Sequence, residues 1–254
     1  MPPFSSGVLV AFEGIDGSGK TTQAAMLQDW AEGLGFEVVS TKEPTAGPWG
    51  RRIRESKFTH RLPPKEELEC FVNDRKEHVE TLILPALKRG ALVLVDRYYY
   101  STVAYQGARG LNPRDVLTLN REFAPIPDLV FLLDLDPQRG LERIDKRGAG
   151  QDLFETLGEL TKARAIFQQL SKTDRHLVVL DAQQKIEEVH RAIVFELVRG
   201  PIFSRGQQLA QRLKIPAGQP KYELVRLAGQ LAQDDSLPVQ EKVRRLWLHG
   251  QPGR

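Results

Sequence analysis

The chain has 254 residues, 41% of them apolar and 27% charged, the balance of an ordinary globular protein with length for one or two domains. A formal charge of +3 suits anionic small molecules and gives no case for a nucleic-acid partner, and no apolar run is long enough to span a bilayer. Cys70 is the only cysteine, which excludes an intrachain disulfide and points to a reducing, cytoplasmic setting; Met1 to Gly7 lacks the basic start and apolar stretch of a signal peptide.

Gly7–Gly14, "GVLVAFEG", reads as a buried strand that ends on glycine. The loop after it, Gly14-Ile15-Asp16-Gly17-Ser18-Gly19-Lys20-Thr21, fits G-x-x-x-x-G-K-[ST] in full. Its glycines let the backbone wrap a phosphate with N–H groups pointing inward, and the helix that follows adds its positive end. In that pattern Lys20 reaches the β- and γ-phosphates of a nucleoside triphosphate and the Thr21 hydroxyl ligates Mg²⁺. Ala24, Leu27, Trp30 and Leu34 then recur on one side of a helix.

Phe36–Pro44 is a second strand, followed by a Gly/Pro-rich loop, and 63–90 is a long helical stretch, bent before Pro85 and ended by Gly90. Ala91–Arg97, Asp128–Asp136 and His176–Ala182 are three further strands, with helical segments between. Apolar strands alternating with helices predict a parallel sheet covered on both faces, with ligands gathered at the strands' carboxyl ends. The polar residues there are Glu13, Glu43, Asp96, Arg97, Asp134, Asp136 and Asp181. Asp96 stands where an acidic residue commonly holds Mg²⁺, and Arg97 offers a charged planar fork to a phosphate oxygen. Tyr98, Tyr99 and Tyr100 are open to a reading as core, while Ser101, Thr102, Tyr105 and Gln106 supply hydrogen-bonding groups beside them.

The loop together with "DRYYYSTVAYQG" (Asp96–Gly107) resembles thymidylate kinase, whose third strand carries D-R-Y-x-x-S-x-x-A-Y-Q-G. "TKEPTAGPWGRRIRE" (Thr41–Glu55) is similar to the family's T-R-E-P-G-G-T-P-x-G-x-x-I-R, and "CFVNDRKEHVETLILPALKRG" (Cys70–Gly90) to its L-F-x-A-D-R-x-x-H block. The likeness runs from about Val8 to Leu197. It implies an ATP- and Mg²⁺-dependent kinase that makes dTDP from dTMP, a P-loop α/β/α fold with five parallel strands in the order 2-3-1-4-5, and a homodimer. Carried onto matching positions, Phe71 stacks on thymine, Arg75 hydrogen-bonds the base and Arg97 holds the monophosphate. Glu43, Thr102, Tyr105 and Gln106 line the deoxynucleoside site, with Tyr105 favouring a 2′-deoxy sugar. Asp16 lies near the 3′-hydroxyl and the transferred phosphate, and Arg143 lies beside the adenine. Phe71 and Arg75 are four apart on one helix and so share a face; read from residues alone, a core phenylalanine and an arginine paired with a nearby acid stay open.

The pattern departs in two places that matter. The family's catalytic arginine comes from the variable loop positions or from a lid motif D-R-[FI]-E, yet Ile15 to Ser18 hold no cation and Leu153 stands where the lid arginine belongs. Arg143, Lys146 and Arg147 share a helix face toward that lid (about 146–156), and Arg147, with or without Arg143, is the expected substitute; a solvated basic face is the bland alternative. Thr45-Ala46-Gly47 also replaces Gly-Gly-Thr over the acceptor site. A kinase domain over 1–199 and a helical extension over 200–254 are expected. Two other readings stay open: a nucleoside monophosphate kinase with a shifted base preference, and a weakly catalytic nucleotide-binding regulatory protein.

Overall fold

The computed structural model describes residues 7–33, 36–58, 60–146, 156–198, 200, 241 and 245. Arg147, Leu153, most of the expected lid and nearly all of the 200–254 extension lie outside the described residues.

Five strands, β1 (Val8–Glu13), β2 (Val38–Lys42), β3 (Leu92–Asp96), β4 (Leu129–Asp134) and β5 (Leu177–Asp181), form one parallel sheet in the order β2-β3-β1-β4-β5. Composition is consistent with which strands are central and which are edges. β1, β3 and β4 are almost continuously apolar and buried, as central strands covered on both faces must be. In β2 and β5 partly buried and exposed positions alternate, which suits an edge. Helices α1 (Lys20–Gly33), α2 (Pro48–Phe58), α3 (Pro64–His78), α4 (Leu84–Arg89), α5 (Tyr99–Ala108), α6 (Pro113–Arg121), α7 (Pro137–Asp145), α8 (Leu157–Thr173) and α9 (Ile186–Leu197) connect and cover the strands.

The expected long helix over 63–90 is α3 and α4 joined by a π-helical turn at Val79–Ile83. Pro85 has no N–H to give the carbonyl of Thr81, and the wider turn absorbs that missing bond. Gly90 ends α4 at φ 89°, a left-handed cap that glycine takes without strain. On α1, Ala24, Leu27 and Trp30 are buried as their spacing predicts.

Register lines up the carboxyl ends. Phe12 pairs with Asp96, Lys42 pairs with Asp96 from the other side, and Asp134 pairs with Asp181. β1 lies between β3 and β4; the chain runs from it to β2 at one edge, returns through β3, and crosses β1 to reach β4 and β5 on the other side. The crevice beyond the carboxyl end of β1 is the natural ligand site of such a sheet. The phosphate loop opens there.

Candidate active site

The loop after β1 is shaped by three glycines. Gly14, Gly17 and Gly19 have φ of 136°, 78° and 95°. A Cβ on Gly14 would come within 2.5 Å of the Leu133 carbonyl oxygen, and one on Gly17 within 2.5 Å of that of Gly140, so these two close approaches admit only glycine. Lys20 opens α1 and folds back over the loop, donating from Nζ to the Ile15 carbonyl at 2.9 Å. Burial, then the nearby Arg97 charge, pulls its pKa down to about 8.

Beside Lys20, the Thr21 hydroxyl donates to Asp96 Oδ2 at 2.5 Å. Asp96 Oδ1 is buried without a hydrogen-bond partner among the described residues. Two hard oxygens side by side, one with lone pairs unused, fit a Mg²⁺ ion that takes one carboxylate and leaves its other positions to phosphate and water. Among the described residues no three His, Cys, Asp or Glu side chains cluster, so this corner is a partial site that a triphosphate would complete.

Arg97 follows Asp96 with φ 69°, the one non-glycine in the left-handed region among the described residues. Such a conformation costs about 1–3 kcal/mol and persists where the surroundings hold it. Here it aims the guanidinium across the loop: Nη2 reaches Asp16 Oδ1 at 2.5 Å and Nη1 reaches Ser101 Oγ at 3.1 Å. Burial works against the Arg97 charge, but Asp16, with help from Tyr105, Asp96 and Glu13, outweighs it and the pKa is raised. The Tyr105 hydroxyl donates to Asp16 Oδ2 at 2.6 Å, and the guanidinium carbon lies 5.3 Å from the Tyr105 ring centre. Burial, then the Asp16 charge, pushes the Tyr105 phenol well up, so it stays a donor.

Glu13 anchors this corner from below. It accepts from the backbone N–H of Tyr98 at 2.8 Å and of Ser101 at 3.2 Å, and lies 2.5 Å from Ser101 Oγ. It thereby caps the start of α5 in place of a side chain at the helix's own N-cap. Full burial pushes its pKa up to about 7 despite these donors.

A cavity partly open to solvent runs from Arg97 and Asp16 past Tyr105 and Thr102 to Phe71, Arg75 and Gln106. Phe71 is half-buried against this space, which rules out a purely core role. Arg75 is 1% exposed and both lines the cavity and pairs with an acid, although not a neighbouring one. Its Nε and Nη2 donate to Glu43 Oε2 at 2.8 and 2.5 Å, its Nη1 to Asn120 Oδ1 at 2.5 Å, and Nη2 also to Thr102 Oγ1 at 3.0 Å. The second Glu43 oxygen meets His78 Nδ1 at 3.0 Å. Glu43 thus holds Arg75 and His78 while it also lines the cavity. Tyr99 and Tyr100 are core, their rings tilted with centres 4.5 Å apart, and only Tyr98 of the three reaches the cavity wall.

Thr45, Ala46 and Gly47 are not among the residues that line the cavity. Asp74 holds Thr45 at its N–H (2.8 Å) and hydroxyl (2.6 Å), and Arg51 and Arg54 donate to the carbonyls of Ala46 and Thr45. The departure from the family motif is thus a rebuilt outer loop, with Glu43 and Pro44 kept at the wall.

Arg143 lies on the opposite side of the phosphate loop. It donates to the Gly17 carbonyl at 3.2 Å and the Ala182 carbonyl at 3.0 Å, beside a second opening lined by Ser18, Gly19, Gln23 and Ile186. A planar cation over such an opening can cover the face of a purine. Tied there, it is on the far flank of the loop from Arg97. Local pattern does not reveal Glu67, which lines the cavity, Asn120 and Arg109, which hold Arg75 and Glu67, or Arg164, whose guanidinium grips Asp134 at 2.7 and 2.9 Å. Asp134 belongs to that pair, and Asp136 caps α7 at the Gln138 N–H, 3.0 Å away. Only their distance along the chain hid these partners.

Comparison with known proteins agrees with this geometry. The family model described as thymidylate kinase matches residues 12–193. A protein named thymidylate kinase from Xanthomonas campestris pv. campestris (strain B100) is 48% identical over 193 residues, covering 75% of this chain and 85% of the relative. One of the same name from Xanthomonas oryzae pv. oryzae (strain PXO99A) is 49% identical over the same length. One from Xylella fastidiosa (strain M12) is 46% identical over 210 residues, covering 82% of this chain and 95% of the relative.

Proposed function

The chain belongs to the thymidylate kinase family, and we propose that it moves the γ-phosphoryl group of ATP onto dTMP across the crevice between the phosphate loop and Arg97. One observation carries this reading: a single cavity has Arg97 and Asp16 at the end next to the loop and Phe71, Arg75 and Gln106 at the other, which suits a nucleotide held at its phosphate and at its base.

In this reading Gly14, Ile15, Asp16, Gly17, Ser18 and Gly19 supply the backbone cradle for ATP, and Lys20 brings positive charge to the transferred group. Arg143 lies over the adenine. Thr21 and Asp96 hold Mg²⁺, which when bound neutralises charge on the β- and γ-phosphates. Arg97 holds the acceptor phosphate, a role consistent with a guanidinium whose charge is locked in by Asp16. Phe71 offers a flat apolar face to the base and Arg75 a donor to a ring carbonyl, while Glu43 and Thr102 keep Arg75 in place. Gln106 Oε1, buried with no partner among the described residues, accepts from the base. Tyr105, fixed by Asp16, stands against the sugar and crowds a 2′-hydroxyl. Two anions are thus brought together by fixed charges, which is most of what phosphoryl transfer asks of a protein.

Arg147 is the residue we propose for the charge that Ile15–Ser18 and Leu153 lack. Arg143 is the weaker candidate, because its guanidinium is already tied to Gly17 and Ala182. We also propose a homodimer, a cytoplasmic setting, a kinase domain over 1–199 and a separate extension over 200–254. No helix among the described residues is long and apolar enough to cross a membrane.

The test is ADP formation from ATP and Mg²⁺ with a panel of nucleoside monophosphates. A preference for dTMP is expected. A preference for another base, or nucleotide binding without turnover, overturns the reading.

A further inference from the structure

Behind the base end of the cavity lies a buried acid that the reaction itself does not use. Glu67, in the first turn of α3, has no exposed surface and touches the same cavity as Gln106. Its Oε2 accepts from Gln106 Nε2 and, at 2.5 Å, from Arg109 Nη1. Its Oε1 accepts from Arg61 Nε at 3.4 Å. Both arginines are themselves held, Arg109 by the Leu62 carbonyl at 2.8 Å and Arg61 by Glu159 at 2.5 Å. With two guanidiniums donating to it, the Glu67 carboxylate offers the glutamine only lone pairs.

An amide next to an acceptor-only group has one workable orientation. Nε2 must face Glu67, so Oε1 must face away, and Oε1 is the buried atom that lacks a partner among the described residues. A flipped amide would set two acceptor oxygens against each other in a dry site. We propose that Glu67 is a specificity-determining positioning residue, which locks Gln106 as a hydrogen-bond acceptor toward the substrate base. The site then takes pyrimidines that carry a proton on ring N3, thymine and uracil, and refuses cytosine, whose N3 presents a lone pair to Oε1. Recognition at N3 is then set through the Gln106 amide by the acid that holds it. The inference rests on the dTMP-kinase reading above and adds to it the origin of base choice.

The experiment compares Glu67→Gln with wild type on dTMP, dCMP and N3-methyl-dTMP. Glutamine keeps the size of Glu67 but can donate as well as accept, which frees the Gln106 amide to turn. The expected result is a fall of about tenfold in kcat/KM for dTMP, the worth of one hydrogen bond, carried by KM with kcat within about threefold. The dTMP-to-dCMP selectivity falls by at least about tenfold, and the penalty for N3-methylation shrinks. Glu67→Gln/Arg109→Gln, which keeps the charge balance of the buried cluster, carries the same readouts should the single variant not fold. A folded variant with wild-type selectivity overturns the inference and leaves the dTMP-kinase reading standing. A wild-type enzyme that does not prefer dTMP to dCMP overturns both. If neither variant folds, Glu67 is a folding residue and the inference is wrong.

Discussion

The two halves of the crevice hold anions by opposite means. The donor side is a contiguous loop whose backbone does the work: three glycines with positive φ, N–H groups and one lysine. The acceptor side is assembled from the ends of β1, β2 and β3, from α3 and from α5, and it works through side chains wedged in place by other side chains. Arg75 and Glu43 are 32 residues apart, Arg75 and Asn120 are 45 apart, and Tyr105 and Asp16 are 89 apart. The loop needs space and the correct backbone. The wall needs every charge to keep its partner. Substitutions on the first side should therefore damage ATP use and spare the fold, whereas those on the second should damage dTMP use and stability together.

Four variants sharpen or break that contrast. Lys20→Ala removes the loop's one side-chain cation, and kcat should fall by about 10³-fold or more, while dTMP affinity measured by calorimetry stays within about twofold. A matching loss of dTMP binding would erase the division. Arg75→Ala strands the buried Glu43 carboxylate, and unfolding free energy should drop by about 3 kcal/mol in denaturant titrations, with a raised KM for dTMP. Unchanged stability would mean that the pair is not what holds the wall.

Gly17→Ala forces a Cβ to within 2.5 Å of the Gly140 carbonyl oxygen at φ 78°. The backbone conformation alone costs about 1–2 kcal/mol and the clash adds to it; the effect should appear as a higher KM for ATP with the dTMP KM unmoved. Glu13→Gln is the mildest. The Glu13 pKa rises on folding from its ordinary 4.5 to about 7, so the folded state binds the proton more tightly. Stability drawn from that proton is present below about 4.5 and is lost as pH rises through 7. The variant should flatten the fall in melting temperature across that window and keep most of the activity; a slope equal to wild type would place the titration elsewhere.

The same contrast explains what could be read from residues alone. The loop, its Lys20 and Thr21, and the strand-end Asp96 and Arg97 follow from local pattern, because short segments carry their geometry with them. The five strands and their parallel sheet were legible from the apolar runs alternating with helices, whereas the order 2-3-1-4-5 came from the family likeness alone. Glu67, Asn120 and Arg109 were not legible, since a charged residue on a helix looks like a solvated one until the chain has folded around it. Glu43 stands at the end of β2, where sequence places it beside the ligand; that it also holds Arg75 and His78 is visible only in the fold. Arg75 itself looked either like a base reader or like half of an ion pair, and the geometry makes it both a member of the cavity wall and a paired charge.

The most direct test follows the phosphorus. With ATP labelled at the γ-phosphate, Mg²⁺ and dTMP, the label should appear as the β-phosphate of dTDP, one for each ADP formed. Label released as inorganic phosphate while dTMP stays unphosphorylated would contradict a crevice built to hold donor and acceptor face to face.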